Sequence, residues 1–413
     1  MTKQDPQTNS GQAMLAEQTV LSTSGYISSY FKRMRSGDFG TLPIVIGLLI
    51  IALIFQSLNK NFLTPVNLVN LIIQMAGLAT IAIGVVFVLL LGEIDLSIGF
   101  VSAVAGVTMT LLFLPPFNLP WFLAIPAGLL VVTLIGLLQG SIITGFGLPS
   151  FIVTLAGMLV WNGVVLLMVG AGGTIILQDA VAVAIANAFL PAMWGWILAL
   201  VVVALYAFNT LSYNLTRRRE GLSVMPTPLV LAQIAGVSLL IVAAVYICNL
   251  DRGVPFVGVL LLLFIVIFSY VATRTPFGRY VYAVGGNAEA ARRAGIDVDR
   301  IRIYVFMLSS FMAGWGGIVL ASRRRSVATN SGGGSLTLYA IAAAVIGGTS
   351  LFGGRGNVMS ALLGALVVAS VDNGMGLLGL SAGVKFIITG LVLLVAVLVD
   401  ALARRSRVKS GRA

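Results

Sequence analysis

Histidine is absent from this 413-residue chain, cysteine occurs once, and charged residues make up only 9% of it. Each shortage removes a class of function. Without histidine the commonest metal ligand and general base is missing, and proton relays of the kind found in ion-coupled carriers lose a frequent member. The single Cys248 lies in an apolar run, so neither a disulfide framework nor a thiolate metal site is available. With 59% hydrophobic residues against so few charges, a soluble globule could not hide its apolar surface, and lipid must be part of the solvent. In hydrocarbon each span has to satisfy its own backbone, and runs of about 20 apolar residues do that as helices. The expected fold class is therefore all-α and polytopic.

A net charge of +12 would suit nucleic acid, but the basic residues sit in short runs between apolar segments, with no soluble domain to read a groove. Positive-inside topology explains them better. Residues 1–42 are polar and end in Lys32, Arg33 and Arg35, which predicts a cytoplasmic tail; the sequence lacks the pattern of a cleaved leader. Apolar segments follow at about 43–58, 68–91, 97–114, 121–143, 150–169, 194–212, 229–250, 256–272, 302–321, 337–352, 357–372 and 382–399. They predict twelve transmembrane helices within a membrane domain at 43–400, with a basic tail at 401–413. The run at 178–190 is too short to span and predicts an interfacial or re-entrant piece. With both termini inside, 19 of the 25 Lys and Arg residues fall on cytoplasmic segments, and Arg323, Arg324 and Arg325 form the main external exception.

The largest polar stretch inside the membrane domain is 273–302. Its centre predicts a short surface helix: Asn287 to cap it, Glu289 in the first turn, small Ala290 and Ala291, then Arg292 and Arg293, with Gly295 to stop it. A helix of about two turns needs packing to persist in water. A short internal echo precedes two glycine-rich turns: Leu78-Ala-Thr-Ile-Ala before Gly92–Gly99, and Leu338-Tyr-Ala-Ile-Ala before Gly347–Gly356.

These residues carry a resemblance. The stretch Gly285-Gly-Asn-Ala-Glu-Ala-Ala-Arg-Arg-Ala-Gly-Ile is similar to the cytoplasmic coupling loop of the ribose, xylose, arabinose and galactoside permeases of ABC importers. Glu93-Ile-Asp-Leu-Ser-Ile-Gly resembles that family's Gly-x-Ile-Asp-Leu-Ser-Val-Gly signature. Ile346-Gly-Gly-Thr-Ser-Leu-Phe-Gly-Gly-Arg-Gly-Asn resembles its C-terminal glycine-rich one, and Leu148-Pro-Ser-Phe-Ile-Val-Thr-Leu adds a fourth match. Glu93 departs from the pattern, since the family usually has glycine or another small residue there. The basic turn at 213–226 with its flanking spans looks like an insertion, placed at 178–250, on a ten-span core, and within the family it most resembles the xylose permeases.

The resemblance implies a bacterial inner-membrane permease for D-xylose or a related monosaccharide. It implies as partners an ABC ATPase subunit carrying ATP and Mg, a periplasmic sugar-binding protein and a second copy of this chain. ATPase coupling would fall on Gly286, Asn287, Glu289, Ala290, Ala291, Arg292 and Gly295. This chain is not expected to be an enzyme or to hold a cofactor or metal: none of its five lysines completes the Gly-x-x-x-x-Gly-Lys-[Ser/Thr] pattern that cradles nucleotide phosphates.

Polar groups in apolar surroundings are costly and point to function. Glu93 and Asp95 read either as part of a broken-helix site or as acids at a water-exposed turn. Gln74, Gln139, Thr154 and Asn162 read as pathway-lining or helix-linking groups. Asp372 and Asn373 lie near Lys385, an ion pair across a turn, and Arg323, Arg324 and Arg325 are expected to meet acidic residues of the binding protein. An ion-coupled carrier is the alternative from another class, opposed by the thirteen acids falling almost wholly in loops or at span ends.

Overall fold

The computed structural model describes residues 42–392 except 222, 223 and 334, together with Leu394 and Leu398. The tails expected at 1–42 and 401–413 lie almost wholly outside the described residues, as does the end of the last expected span. The chain forms two compact units, one of residues 41–189 with 254–402, the other containing 190–253.

The larger unit begins with α1 (Leu42–Leu58), α2 (Pro65–Leu90), α3 (Ile98–Leu112), α4 (Trp121–Phe146) and α5 (Ser150–Val169). Strand β1 (Thr174–Ile176) and the short α6 (Ala180–Asn187) follow. The smaller unit holds α7 (Ala192–Arg219) and α8 (Thr227–Asn249), two helices packed on each other. The larger unit resumes with α9 (Phe256–Arg274), α10 (Pro276–Gly286), α11 (Ala288–Arg293), α12 (Val298–Arg324), strand β2 (Ser326–Ala328), α13 (Leu336–Ile346), α14 (Met359–Leu377) and α15 (Ala382–Val392).

Local chemistry sets these boundaries. Thr64 accepts the Asn67 N–H at 3.4 Å, and Pro65 takes the first helical position of α2, where its missing N–H costs nothing. Asp179 caps α6 and Asp297 caps α12, each accepting an amide from three residues on. α4 stops at Gly147, which adopts φ 63°.

Among the described residues eight helices are long and apolar enough to cross a membrane: α2, α4, α5, α7, α8, α9, α12 and α14. Four expected spans are shorter helices. α1 has 17 residues, α3 15 and α13 11, and α15 is described only to Val392. The apolar run from Tyr339 to Phe352 disguised the end of α13, because hydropathy registers composition and not the point where Gly347 and Gly348 leave the helix.

The core is centred on α12, which packs against α2, α3 and α4. Its lining is small: Ser309, Ser310, Ala313, Gly314, Gly316, Gly317 and Ala321 are all buried. In lipid, close backbone approach substitutes for the hydrophobic drive that assembles soluble helices. Gly77 faces Leu320 and Gly316, Gly84 faces Ser309, Gly136 faces Phe306 and Gly140 faces Ile303, so glycines on two neighbours converge on this helix. α6 is part of the same core, not of the smaller unit: Ser322 Oγ accepts the Ala186 amide and donates to the Val183 carbonyl, each at 2.9 Å.

Candidate functional site: a joint and a cavity

The three glycine-bearing motifs, distant in sequence, meet at one end of the larger unit. α10 begins at Thr275, which accepts the Gly278 amide, and ends at Gly286; Asn287 then caps α11, its Oδ1 accepting the Ala290 amide at 2.9 Å. Gly295, at φ 84°, terminates the turn after it. Ala291 is buried beneath α11, whereas the Glu289, Arg292 and Arg293 side chains are 61%, 56% and 80% exposed. The surface pairs Glu289–Arg293 (3.2 Å), Glu289–Arg292 (3.6 Å) and Arg292–Asp299 (3.8 Å) hold register and add little stability.

Beneath this loop the contacts are backbone on backbone. The Gly354 amide donates to the Leu90 carbonyl at 2.8 Å, at the end of α2. A Cβ on Gly285 would overlap that carbonyl, so the α10 end can approach only as glycine. Gly92 and Gly353, at φ 77° and 83°, face each other in the same layer. The two turns that follow the sequence echo thus sit against one another. Tyr282 seals the joint by donating to the Gly356 carbonyl at 2.8 Å, and burial raises its phenol pKa, which keeps the proton in place.

Glu93 belongs to this joint. It pairs with Arg302 in the early turns of α12 at 3.1 Å, with side chains only 15% and 29% exposed. The acids do not form a water-exposed turn, because Asp95 is 3% exposed. Its Oδ1 accepts the Ser97 amide (2.9 Å) and hydroxyl (2.7 Å) at the start of α3, an end where the helix dipole favours negative charge. The non-helical segment 93–97 is then held by side chains of other helices. Ile94 and Leu96 donate their amides to Ser150 and Thr154, Gln139 bonds the Ser97 hydroxyl at 3.0 Å, and Thr337 accepts the Gly99 amide at 3.1 Å. Thr154 and Gln139 link helices here. Asn162 lies on α5 and lines no cavity described below.

Towards the other end of α12 a cavity of about 220 Å³ opens between α2, α3, α12, the 326–335 loop, α13 and α14. It contains Gln74, and it contains Arg323 and Arg324, which the sequence suggested would face outward to a partner. Helix α12 runs to Arg324, past the expected end at 321, and carries both arginines into the cavity lining. Arg325 takes φ 54° as the cap, and its carbonyl accepts the Leu177 amide at 2.9 Å. Antiparallel β1 and β2 pair beside it, Thr174 opposite Ala328.

The expected Asp372–Lys385 ion pair is not formed. Asp372 lines the cavity and attracts Arg323, while neighbouring Asn373 turns inward. Asn373 exchanges hydrogen bonds with Asn67 at 2.8 and 3.0 Å and donates to Gln74 Oε1 at 3.3 Å. The sequence reading missed this amide ladder and the Glu93–Arg302 pair. Asn67 and Asn373 stood as polar residues in apolar helices, the one available signal, but their partners are about 300 positions apart in the chain.

Residues 67–397, which contain both the joint and the cavity, match the family described as branched-chain amino acid transport system permease component. The chain belongs to that permease family. It is thus a transport subunit, a multi-pass membrane protein. It is 35% identical over 385 residues to the xylose transport system permease protein XylH of Escherichia coli K12, covering 92% of this chain and 96% of that one. The XylH protein of Haemophilus influenzae is 31% identical, covering 89% and 98%. The ribose import permease protein RbsC of Bacillus subtilis is 31% identical, covering 86% and 91%. No solved structure matches.

Proposed function

We propose that this chain is the membrane subunit of an ATP-driven bacterial importer for D-xylose or a related monosaccharide. It works in the inner membrane as a pair of identical copies, with separate ATPase subunits that hold ATP and Mg and a periplasmic binding protein that delivers the sugar. The single observation that carries this reading is the joint: a charged, exposed helix is fixed through glycine backbone to the ends of helices that run on to a polar cavity. The relatives named for xylose and ribose, matched nearly end to end, support the substrate class.

In this reading the ATPase contacts α11 through Asn287, Glu289, Ala290 and Arg292, with Gly286, Ala291 and Gly295 shaping the turn. Closure of the ATPases pushes α10 and α11, and two connections pass the movement on. Gly285 presses on Leu90 and Gly354, and Glu93–Arg302 ties the base of α12 to the segment 93–97. That segment runs into α3, whose Gly99 touches Gly332 in the cavity lining and Thr337 beside it. The short helices α3 and α13 complete their crossings with the non-helical segments beside them, which gives twelve crossings and both termini in the cytoplasm. Residues 190–253 are an addition to a ten-span core. Arg323, Arg324 and Arg325 then lie at the external mouth, where the binding protein docks.

The test is reconstitution in liposomes with candidate ATPase and binding protein. ATP-dependent pentose uptake that needs all three components is the expected result. Uptake by this chain alone, driven by a proton gradient, would replace the reading with an ion-coupled carrier.

A further inference from the structure

Buried polar groups in the larger unit are mostly spent on one another or on backbone, as Asp95 on Ser97, Thr154 on Ile94 and Asn67 on Asn373 show. The cavity differs. Its polar side chains are accessible, Arg323, Arg324, Asn330 and Asp372 being exposed and Tyr339 half-buried; among the described residues none of the five makes a side-chain hydrogen bond or ion pair, and all line one space of about 220 Å³. Gln74 joins them, and it is held in place: Asn373 donates to its Oε1, which leaves the amide N–H groups for the cavity.

The inventory fits one kind of molecule. Two guanidiniums and an amide donate, a carboxylate accepts only, and a phenol and a second amide do both. A neutral polyol offers hydroxyls that both donate and accept, so it can satisfy every one of these groups without bringing a charge of its own. The volume lies below the roughly 300–1,000 Å³ of clefts for drug-sized ligands, and the Tyr339 ring supplies an apolar face for the C–H side of a sugar ring. Asp372 works against an anionic ligand, and the arginines work against a cationic one.

We propose that this cavity is a sugar-binding subsite, so that the permease itself selects its cargo after the binding protein has released it. The proposal rests on the transport reading above and deepens it. Asp372 accepts from vicinal hydroxyls, Arg323 and Gln74 donate to the oxygens beside them, and the amide ladder through Asn373 fixes Gln74 before the sugar arrives, which lowers the cost of ordering on binding.

The experiment uses the full complex in liposomes, with D-xylose and its monodeoxy analogues as probes. For the wild type, ATP-dependent uptake with binding protein establishes that the transport reading holds; its failure would overturn that reading first. Radiolabelled xylose binding is then measured on the complex without binding protein. Saturable binding is expected, weakened about tenfold or more by Asp372→Asn and by Arg323→Gln, as loss of a hydrogen bond to a charged group predicts. The same variants should lose discrimination against one deoxy analogue each during uptake with unchanged binding protein. Lys60→Gln, an exposed position outside the cavity, should behave as wild type in both assays. Basal ATPase activity and thermal melting verify that each variant is assembled. Non-saturable binding with normal import, or assembled variants that keep wild-type affinity and discrimination, would overturn the subsite while leaving the transport reading intact.

Discussion

The joint and the cavity stand near opposite ends of α12 and are built on opposite principles. At the joint the packing is closed: Gly285, Gly353 and Gly354 bring backbones into direct contact, and Glu93 meets Arg302 at 3.1 Å, with the Arg302 Nε left without a partner. At the cavity the charges of Arg323, Arg324 and Asp372 are kept close without being used. The difference teaches where rigidity and where availability are needed. A part that transmits displacement must not yield, so it is close-packed. A part that holds a ligand briefly must keep its hydrogen-bonding groups in reserve.

Gly285→Leu should break the comparison most completely. Its side chain has no space beside Leu90 and Gly354, and overpacking of this kind costs about 1–3 kcal/mol or more. Loss of assembled protein on size-exclusion chromatography is expected, whereas Gly286→Ala, with nothing near a new Cβ, should assemble normally. Next in size is Glu93→Gln. It leaves Arg302 half-buried without its partner, and the cost is set at about 1–3 kcal/mol, below that of a fully buried pair because both groups touch solvent. ATP hydrolysed per sugar imported should rise, and the exchange Glu93→Arg with Arg302→Glu should recover part of the coupling. Unchanged stoichiometry in the single variant would show that the joint transmits through backbone alone.

Asn373→Leu tests the reserve at the other end. Removing the ladder leaves Asn67 and Gln74 short of a partner, worth about 1–3 kcal/mol of stability by thermal melting, and sugar affinity should fall without any change in ATPase docking. The smallest effect belongs to Glu289→Gln. Its two pairs are exposed, so stability should move by no more than about 1 kcal/mol, yet co-purification of the ATPase should drop. A variant that docks normally would free α11 of the role given to it.

Much of this was legible in the sequence where the governing interactions are local. Hydropathy located the long helices, and Asn287, Glu289 and Gly295 predicted α11 because capping and stopping act within a few residues. What could not be read depends on distance along the chain. Glu93 was noticed as a misfit among small residues, but Arg302 lies more than 200 positions away. The cavity draws its polar groups from α2, α12, α13, α14 and a loop, so no window of sequence contains it. That Arg323 and Arg324 line a cavity was not legible, because a run of arginines marks a helix end without showing which way the final turn faces.

The length of α12 has a mechanical consequence. Arg302 and Arg323 sit on one uninterrupted helix, about 30 Å apart at 1.5 Å per residue, and the closest packing lies between them, where Gly314, Gly316 and Gly317 press on neighbouring helices. That is the layout of a lever with its fulcrum near the middle. A tilt of about 5° around the glycines would carry Arg302 by about 1.8 Å and Arg323 by about 1 Å in opposite directions. A push on the coupling side would then be felt at the sugar as a change in which oxygens a guanidinium can reach, with no helix having to bend.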